Sequence, residues 1–271
     1  MGEGGKAADS TDDARSFLTS GDAYDAFMGR YSRPLADAFA DVAGVEAGQS
    51  VLDVGCGPGS LTGVLVDRLG AGSVSAIDPS PPFVAECASR HRGADVRLGS
   101  AEAIPFDDAS FDSALAQLVL HFVTDPARAA AELRRVVRPS GIAAACVWDF
   151  AQGMEMLRHF WDAALTVDSD APDEAQAMRF GRAGELVELL EAAGFHEVTE
   201  TTLEVASTYG EFEELWSGFL AGIGPAGSFC VSLSDEQRSA VREELFRRIG
   251  APTGRFTLAA TARCAHGRTP R

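Results

Sequence analysis

An aspartate and three closely spaced glycines stand out in the run SVLDVGCGPGS at 50–60. An apolar, β-branched stretch leads to Asp53, the glycines follow at 55, 57 and 59, and apolar residues then recur at helical spacing over 61–69. Glycine tolerates positive φ and has no Cβ, so a ligand can lie directly against the backbone of such a turn. A strand, a glycine-rich turn and a helix are the parts of a nucleotide-binding first βα unit, although glycine pairs also occur in ordinary tight turns.

A second acid, Asp78, ends the next predicted strand at 73–77 and is followed by Pro79 and Ser80. It lies about twenty residues beyond the glycine turn, where nucleoside-binding α/β folds place the acid that accepts hydrogen bonds from ribose hydroxyls. Taken alone, the Asp-Pro-Ser sequence is an ordinary helix cap. Together with the upstream turn it predicts ribose binding, and the two roles are compatible.

Three residues are candidates for a general base, which is needed only if the reaction removes a proton. His121 follows the fourth predicted strand, His159 lies on a predicted amphipathic helix at 153–167, and Asp149 stands beside a tryptophan. Each also has a structural interpretation as a packed or solvated side chain. No group of residues has metal-ligand spacing, so no metal is expected. Five aromatic residues could line an apolar pocket or belong to the core: Trp148, Phe150, Phe160, Trp161 and Trp216.

The remaining sequence alternates predicted strands and helices. Strands without polar interruption, such as 142–147, are typical of a parallel sheet that is covered on both faces, and the expected fold class is α/β. In the C-terminal third we predict further helices and two more strands, with a Gly/Pro loop between two of the helices. These elements are helices at 186–193, 211–220 and 235–249, the loop at 222–227, and strands at 197–205 and 256–264.

The composition indicates a globular chain of 271 residues and disfavours polyanionic partners. The formal net charge of -17 repels nucleic acid and anionic membranes, so no nucleic-acid partner is expected. Residues 1–15 are poor in apolar groups, which predicts a disordered tail and no signal peptide, and no apolar run is long enough for a membrane span. The five cysteines are scattered, with Cys56 a small residue within the glycine turn, and they indicate a reduced, cytoplasmic protein.

The spacing Asp-x-Gly-x-Gly-x-Gly that begins at Asp53 departs from the G-x-G-x-x-G of dinucleotide-binding folds. It resembles motif I of the class I S-adenosylmethionine (SAM)-dependent methyltransferases. The runs AEAIPF at 101–106 and ELRRVVRPSG at 132–141 extend the resemblance to the methyltransferase type 11 branch, which includes ubiquinone and menaquinone methyltransferases. Ser140 stands where this family usually has Gly, on the far side of the sheet from the site. A dinucleotide site and a purely structural turn are the alternatives.

This resemblance implies a Rossmann-like seven-stranded sheet with helices on both faces, an antiparallel last strand and helical cap elements. It also implies that SAM lies against the glycine turn, that the corner at 100–102 lines the adenine, and that the segment 24–34 folds over the methionine end of SAM. The expected cofactor-binding residues are Asp53, Gly55, Cys56, Gly57, Gly59, Asp78, Pro79, Ser80, Ser100, Ala101, Glu102, Gln117, Leu118, Tyr24, Met28 and Arg33.

The expected function is methyl transfer from SAM to a small, apolar or aromatic molecule at O, N or C. Methylation of a macromolecule, and a SAM-binding regulator or partner protein without turnover, stay open because all three need the same turn. A homodimer also stays open. We expect a single domain at 16–271, made of an N-terminal lid at 16–45, a SAM-binding core at 46–150, substrate-roofing helices at 151–180 and 211–250, and C-terminal strands within 196–266.

Overall fold

The computed structural model describes residues 25–271 of the chain. Tyr24 and the predicted tail at 1–15 lie outside the described residues. Seven strands form one sheet in the order β3-β2-β1-β4-β5-β7-β6. The strands are β1 Val51–Val54, β2 Val74–Asp78, β3 Asp95–Leu98, β4 Phe111–Gln117, β5 Val137–Trp148, β6 His196–Tyr209 and β7 Phe256–Arg268.

The direction of the strands follows the predicted topology. β1 to β5 pair in parallel, whereas β7 pairs antiparallel with both β5 and β6. The last strand of the chain is therefore the one that runs against the others, which confirms the predicted fold class. Because β1 lies between β2 and β4, the strand order reverses beside it, and open α/β sheets form their ligand crevice at such a point.

The central strands are buried on both faces, as their unbroken apolar sequence predicts. All four residues of β1 are buried. Successive side chains enter two different hydrophobic cores, with Val51 and Leu115 in one and Leu52 and Ala114 in the other. This alternation follows from the two-residue period of a strand and requires helices on both sides of the sheet.

The helices cover the two faces in separate groups. The first two helices and the cap helices α5, α8, α9 and α10 bury residues in one core, whereas α4 and α7 bury theirs in the other. None of the helices in residues 25–271 combines the length and apolar character that crossing a membrane requires. The helices are α1 Arg30–Val42, α2 Ser60–Leu69, α3 Pro81–Arg90, α4 Pro126–Val136, α5 Glu155–Val167, α6 Glu174–Ala177, α7 Glu185–Ala192, α8 Phe212–Leu220, α9 Gly224–Ser232 and α10 Asp235–Arg248.

The structure corrects two of the predicted elements. The Gly/Pro loop expected at 222–227 is wrong over most of its length, because α9 begins at Gly224. Pro225 lies in the first turn of that helix, where a missing N–H group costs nothing and the fixed φ of proline favours helix initiation. β5 begins at Val137 and not at 142, since Val137 already pairs with Phe111 before the register shifts.

The start of the described chain is fixed to the cap by polar contacts. A π-helical turn at Asp25–Gly29 continues into α1. The hydroxyl groups of Tyr31 and Tyr209 lie 3.1 Å apart in a buried hydrogen bond, and the guanidinium of Arg30 lies 2.7 Å from the Glu214 carboxylate and 4.0 Å from the Tyr209 ring centroid. These contacts hold α1 against β6 and α8 and so fix the segment that leads into it.

Candidate functional site

A cleft of about 360 Å³ lies at the carboxyl ends of β1, β2 and β4. This is the reversal point of the strand order, where open α/β sheets bind their ligands. The loops that follow β1, β2, β3 and β4 form its walls. Its lining consists of Ser32, Asp53, Gly55, Cys56, Gly57, Pro58, Ser60, Leu61, Asp78, Pro79, Ser80, Phe83, Ser100, Ala101, Glu102, Gln117, Leu118, Val119, Phe122, Val123 and Thr124.

The glycine turn after β1 forms the first wall. Gly55 and Gly57 have φ angles of 76° and 53°, which L side chains rarely adopt. The N–H groups of Gly55 and Cys56 donate to the carbonyl oxygen of Ile77 at 2.8 and 2.9 Å, so the turn is fastened to β2. A Cβ atom on Gly57 would meet no atom of residues 25–271 within 4 Å. The glycine at 57 therefore leaves space beside the cleft, and a ligand can reach the backbone there.

Gly59 and Cys56 occupy different surroundings. Gly59 does not line the cleft: a Cβ atom at this position would lie 2.6 Å from the ring of His91, whose Nε2 is 2.9 Å from the Gly59 carbonyl oxygen. The third glycine thus permits close packing of the turn on the end of α3. Cys56 lines the cleft, is buried and packs with Ala76 and Cys87, as a small residue filling a tight turn would.

Three buried polar atoms in the cleft, the Oδ1 of Asp53, the Oγ of Ser80 and the Oε1 of Gln117, have no hydrogen-bond partner in the described part of the chain. Asp53 is 1% exposed, and its Oδ2 accepts a 2.6 Å bond from the Thr62 hydroxyl, whereas its Oδ1 is unpaired. Burial raises the pKa of Asp53 to about 7, against the opposing effect of the Thr62 bond. Gln117 Nε2 donates to the Ser32 carbonyl at 2.9 Å, which leaves Gln117 Oε1 unpaired. The site therefore suits a ligand group that carries several N–H donors.

Asp78, the last residue of β2, connects the glycine turn with the loop after β2, which forms the second wall. Its Oδ2 accepts from the Gly57 N–H at 2.9 Å and its Oδ1 accepts from the Ser80 N–H at 2.8 Å. Burial raises the pKa of Asp78, and these two bonds oppose that rise. A carboxylate has about four acceptor sites, so two stay available for ligand hydroxyls. Pro79 and Ser80 line the cleft beside it.

The corner after β3 forms the third wall, with Ser100, Ala101 and Glu102 in the lining. The Ser100 hydroxyl accepts from the Glu102 N–H at 3.2 Å. Glu102 Oε1 in turn accepts from the Asp125 N–H at 2.8 Å, where Asp125 caps α4. The corner is thus fixed by bonds within itself and to the next helix.

Sequence reasoning did not identify several residues of the lining. Phe83 is buried in the first turn of α3, three residues after the Asp-Pro-Ser sequence, and that position was a usable signal. The loop at 119–124 supplies Val119, Phe122, Val123 and Thr124. This loop carries no motif, and it reaches the site only because β4 lies next to β1.

A smaller cavity of about 40 Å³, here termed the apolar cavity, adjoins the cleft. The two share Leu118 and Phe122. Leu118 has φ 61° and donates its N–H to the Cys146 carbonyl at 2.9 Å, so β5 holds it in the left-handed conformation. The other residues that line the apolar cavity are Phe27, Met28, His121, Trp148, Phe150, Leu157, Glu174, Ile223, Gly224, Pro225 and Ala226.

Only one of the three candidate bases reaches either cavity. His121 lines the apolar cavity and is 5% exposed; burial, aided by the charge of Arg179, lowers its pKa to about 3, so the ring is neutral. Its Nδ1 has no partner among residues 25–271. His159 is half-buried on α5 and lines neither cavity. Asp149 also lines neither, and its Oδ2 accepts from Arg263 Nη2 at 2.8 Å.

Of the residues predicted near the methionine end of SAM, one lines a cavity and one does not. Met28 lines the apolar cavity, and Arg33 is exposed and lines neither cavity. Tyr24 lies outside the described residues. Of the five aromatic residues considered for a pocket, Trp148 and Phe150 line the apolar cavity, whereas Phe160, Trp161 and Trp216 are buried in the core cluster beside it.

Comparison with known proteins relates this chain to methyltransferases. A family profile described as a methyltransferase domain, type 11, matches residues 52–145. The chain is 29% identical to nocamycin O-methyltransferase of Saccharothrix syringae, over 88% of this chain and 91% of that one. It is 36% identical to malonyl-[acyl-carrier protein] O-methyltransferase of Salmonella typhimurium, over 49% of this chain and 54% of that one. For other curated relatives the match spans only 33% or 38% of their length.

A solved structure shares the fold at low sequence identity. Phosphoethanolamine N-methyltransferase 2 of Haemonchus contortus, solved with phosphomonomethylethanolamine and S-adenosylhomocysteine, superposes with a TM-score of 0.55 at 14% identity, over 88% of this chain and 53% of that one. The profile match covers the strands β1 to β4, from Leu52 on, and the loops after them that line the cleft. Residues 52–145 of the chain form a SAM-dependent methyltransferase domain of the type 11 branch, and the chain has the Rossmann-like fold of the class I methyltransferases.

Proposed function

We propose that this protein binds SAM in the cleft and transfers its methyl group to a small, largely apolar molecule held in the apolar cavity. The observation that carries the proposal is that the two cavities share Leu118 and Phe122. A methyl donor in one and an acceptor in the other would meet at these two side chains. Bringing two reactants together in a fixed orientation is the main contribution that a protein can make to such a transfer.

The polar groups of the cleft fit the parts of SAM. An α-ammonium group has three N–H donors and needs acceptors, and the cleft offers the unpaired Oδ1 of Asp53 and Oε1 of Gln117. The ribose hydroxyls need acceptors too, and the Asp78 carboxylate has sites left after its two loop bonds. Phe83 and Ala101 offer buried apolar surface for the adenine. The other proposed contacts are Gly55, Cys56, Gly57, Pro79, Ser80, Ser100, Glu102 and Leu118.

When bound, SAM supplies a methyl group on a sulfonium, which passes to a nucleophile while the electrons of the S–C bond stay on sulfur. The protein's own residues position the two reactants and shield them from water. Leu118 is held in a strained backbone conformation at the junction, a feature that clusters at functional sites. Phe122 and Phe150 and the cap residues Leu157 and Ile223 exclude water from the apolar cavity.

The acceptor class follows from the lining of the apolar cavity. Apart from His121, Trp148 and Glu174, the described residues that line the apolar cavity are apolar. Ile223 with the first turn of α9, and Leu157 of α5, cover the cavity. Such an enclosed space suits a small molecule and excludes a nucleic acid or a folded protein surface. The two curated relatives named above methylate oxygen, according to their names, which favours an oxygen acceptor.

The experiment is a methyl-transfer assay on the purified full chain. S-adenosylhomocysteine formation is measured by mass spectrometry with SAM and a panel of phenols, hydroxyquinones, alcohols, amines and thiols. Formation that depends on an apolar acceptor and disappears in Gly57→Val would support the proposal. SAM binding without turnover on any acceptor would favour the alternative of a SAM-binding regulator, and turnover on nucleic acid or protein alone would contradict the proposed acceptor class.

A further inference from the structure

Two residues in the wall of the apolar cavity each have a ring nitrogen without a hydrogen-bond partner among residues 25–271. Trp148, the last residue of β5, is 2% exposed, and His121, four residues after β4, is 5% exposed. Both line the apolar cavity. In the described part of the chain, neither Trp148 Nε1 nor His121 Nδ1 has a partner. Buried polar atoms without partners are rare in folded proteins, so each of these requires an explanation.

The chemistry of the two atoms restricts what could pair with them. The indole N–H of Trp148 is a donor only, so its partner must be an acceptor. His121 is neutral because burial and Arg179 lower its pKa to about 3. With its proton on Nε2, Nδ1 is an acceptor, so its partner must be a donor. A hydroxyl group is both acceptor and donor, so it combines the two functions that the two atoms require.

We propose that Trp148 and His121 together recognise a neutral hydroxyl group of the substrate, and that this oxygen is the atom that is methylated. Trp148 Nε1 donates to the oxygen and His121 Nδ1 accepts from its O–H group. When the oxygen forms its new bond to carbon, the S–C bond of SAM breaks with its electrons on sulfur, and the hydroxyl proton passes to His121 Nδ1, from which it is lost to solvent after product release. This inference rests on the proposed function, because it concerns the same cavity.

The charges around the apolar cavity exclude the main competing groups. No Lys or Arg occurs among the described residues that line it, so with the uncharged sulfur of S-adenosylhomocysteine in the cleft a desolvated carboxylate would have no cationic side chain of the lining to pair with. Glu174 is the one acidic residue of the lining, and its Oε2 already accepts a 2.7 Å bond from the Trp161 indole. A protonated amine cannot accept from the Trp148 N–H, and that donor would stay buried and unpaired. A neutral hydroxyl leaves no atom of the pair unsatisfied.

The volume sets the size of the group that enters. The empty space of about 40 Å³ exceeds the roughly 10–15 Å³ that one water needs on the same kind of measure. It accommodates a hydroxyl and a few carbon atoms, so a larger substrate requires movement of the covering residues at 223–226, which form the start of α9. Rings of one or two fused six-membered units are therefore suitable probes.

The test is a binding experiment with four matched probes: 2-naphthol, 2-naphthylmethylamine (protonated at neutral pH), 2-naphthoate and 2-methylnaphthalene. Each is titrated by calorimetry into the full chain that has been saturated with S-adenosylhomocysteine. We expect 2-naphthol to bind at least tenfold more tightly than the other three. His121→Phe and Trp148→Phe, which keep an aromatic ring, should each remove at least tenfold of that affinity, and His121→Asn, whose Oδ1 can take the place of Nδ1, should restore part of it.

Trp216→Phe serves as the matched control, because it removes an indole N–H that lies outside both cavities, and 2-naphthol affinity should stay within twofold. Equal affinity for 2-naphthol and 2-methylnaphthalene, tighter binding of the amine or the acid, or binding of none of the four probes would overturn the inference. If S-adenosylhomocysteine itself failed to bind to the wild-type chain, the proposed function would fail first. The two failures are therefore distinguishable.

Discussion

The carboxylate of Asp53 should link SAM binding to pH and oppose the stability of the empty protein. Its pKa is about 7 in the folded chain against an ordinary value of 3.8. At about 1.4 kcal/mol per pH unit, ionising this buried group costs roughly 4 kcal/mol as an upper bound. The folded state holds the proton more tightly than the unfolded state, so this group's contribution to stability is full below pH 3.8 and is lost as the pH rises through about 7.

A ligand ammonium at the unpaired Oδ1 would favour the ionised carboxylate. We therefore expect SAM affinity to rise as the pH increases through about 7 and SAM binding near pH 6.5 to release a proton, which calorimetry in two buffers of different ionisation enthalpy measures. Asp53→Asn keeps an acceptor for the Thr62 hydroxyl but carries no charge. SAM affinity should fall by about 1.5–3 kcal/mol, the usual worth of a hydrogen bond to a charged group, and the proton release should disappear.

The stability of the empty Asp53→Asn protein should be unchanged or higher at pH 8, measured by urea unfolding. The matched control is Asp112→Asn on the neighbouring strand. Burial raises the pKa of Asp112, but bonds from the Ser50 N–H and Arg138 outweigh it, and the pKa is lowered. Asp112→Asn should lose stability at neutral pH and keep SAM affinity. Native SAM affinity with undiminished proton release in Asp53→Asn would refute this account of the acid.

Three further changes test other parts of the site. Gly57→Val places a branched side chain into the open space beside the cleft and should abolish SAM binding in calorimetry. The control is Gly70→Val, which is also at positive φ in open space but lies at the end of α2; it should cost about 1–2 kcal/mol of stability and leave SAM binding intact. Equal loss of SAM affinity in both variants would contradict the role of the glycine turn. Asp78→Ala should weaken SAM binding by about 1–3 kcal/mol, and an unchanged dissociation constant would remove Asp78 from the site. The lowered pKa of His121 gives stability that is present above pH 6.5 and lost as the pH falls to about 3. His121→Phe should therefore reduce the slope of unfolding free energy against pH in this range, by up to about 1.4 kcal/mol per pH unit. An unaltered pH dependence of urea unfolding would contradict the burial of His121 as a neutral ring.

The sheet and the glycine turn were predictable because their signals are local. Strands such as β1 and β4 are continuous apolar runs, and an acid followed by three alternate glycines at Asp53–Gly59 specifies a turn that only small residues allow. Asp78 was identified from its distance to that turn. The sequence did not reveal that Gly59 faces His91 and not the cleft, because that depends on how α3 packs against the turn.

The cap was less predictable, because its elements acquire their roles from packing. Pro225 suggested a loop and instead lies in the first turn of α9. His121 and His159 were both sequence candidates, and only the fold shows that one lines the apolar cavity and the other does not. Trp148 carried no signal beyond its aromatic type, since its relation to His121 arises from the pairing of β4 with β5.

Calorimetric titration of the purified chain with SAM and with S-adenosylhomocysteine at pH 8 tests directly whether the cleft between β1, β2 and β4 is a SAM site. We expect micromolar binding of both ligands at one site per chain, competition between them, and loss of binding of both in Gly57→Val. No heat of binding from either ligand, or binding of NAD in their place, would contradict it.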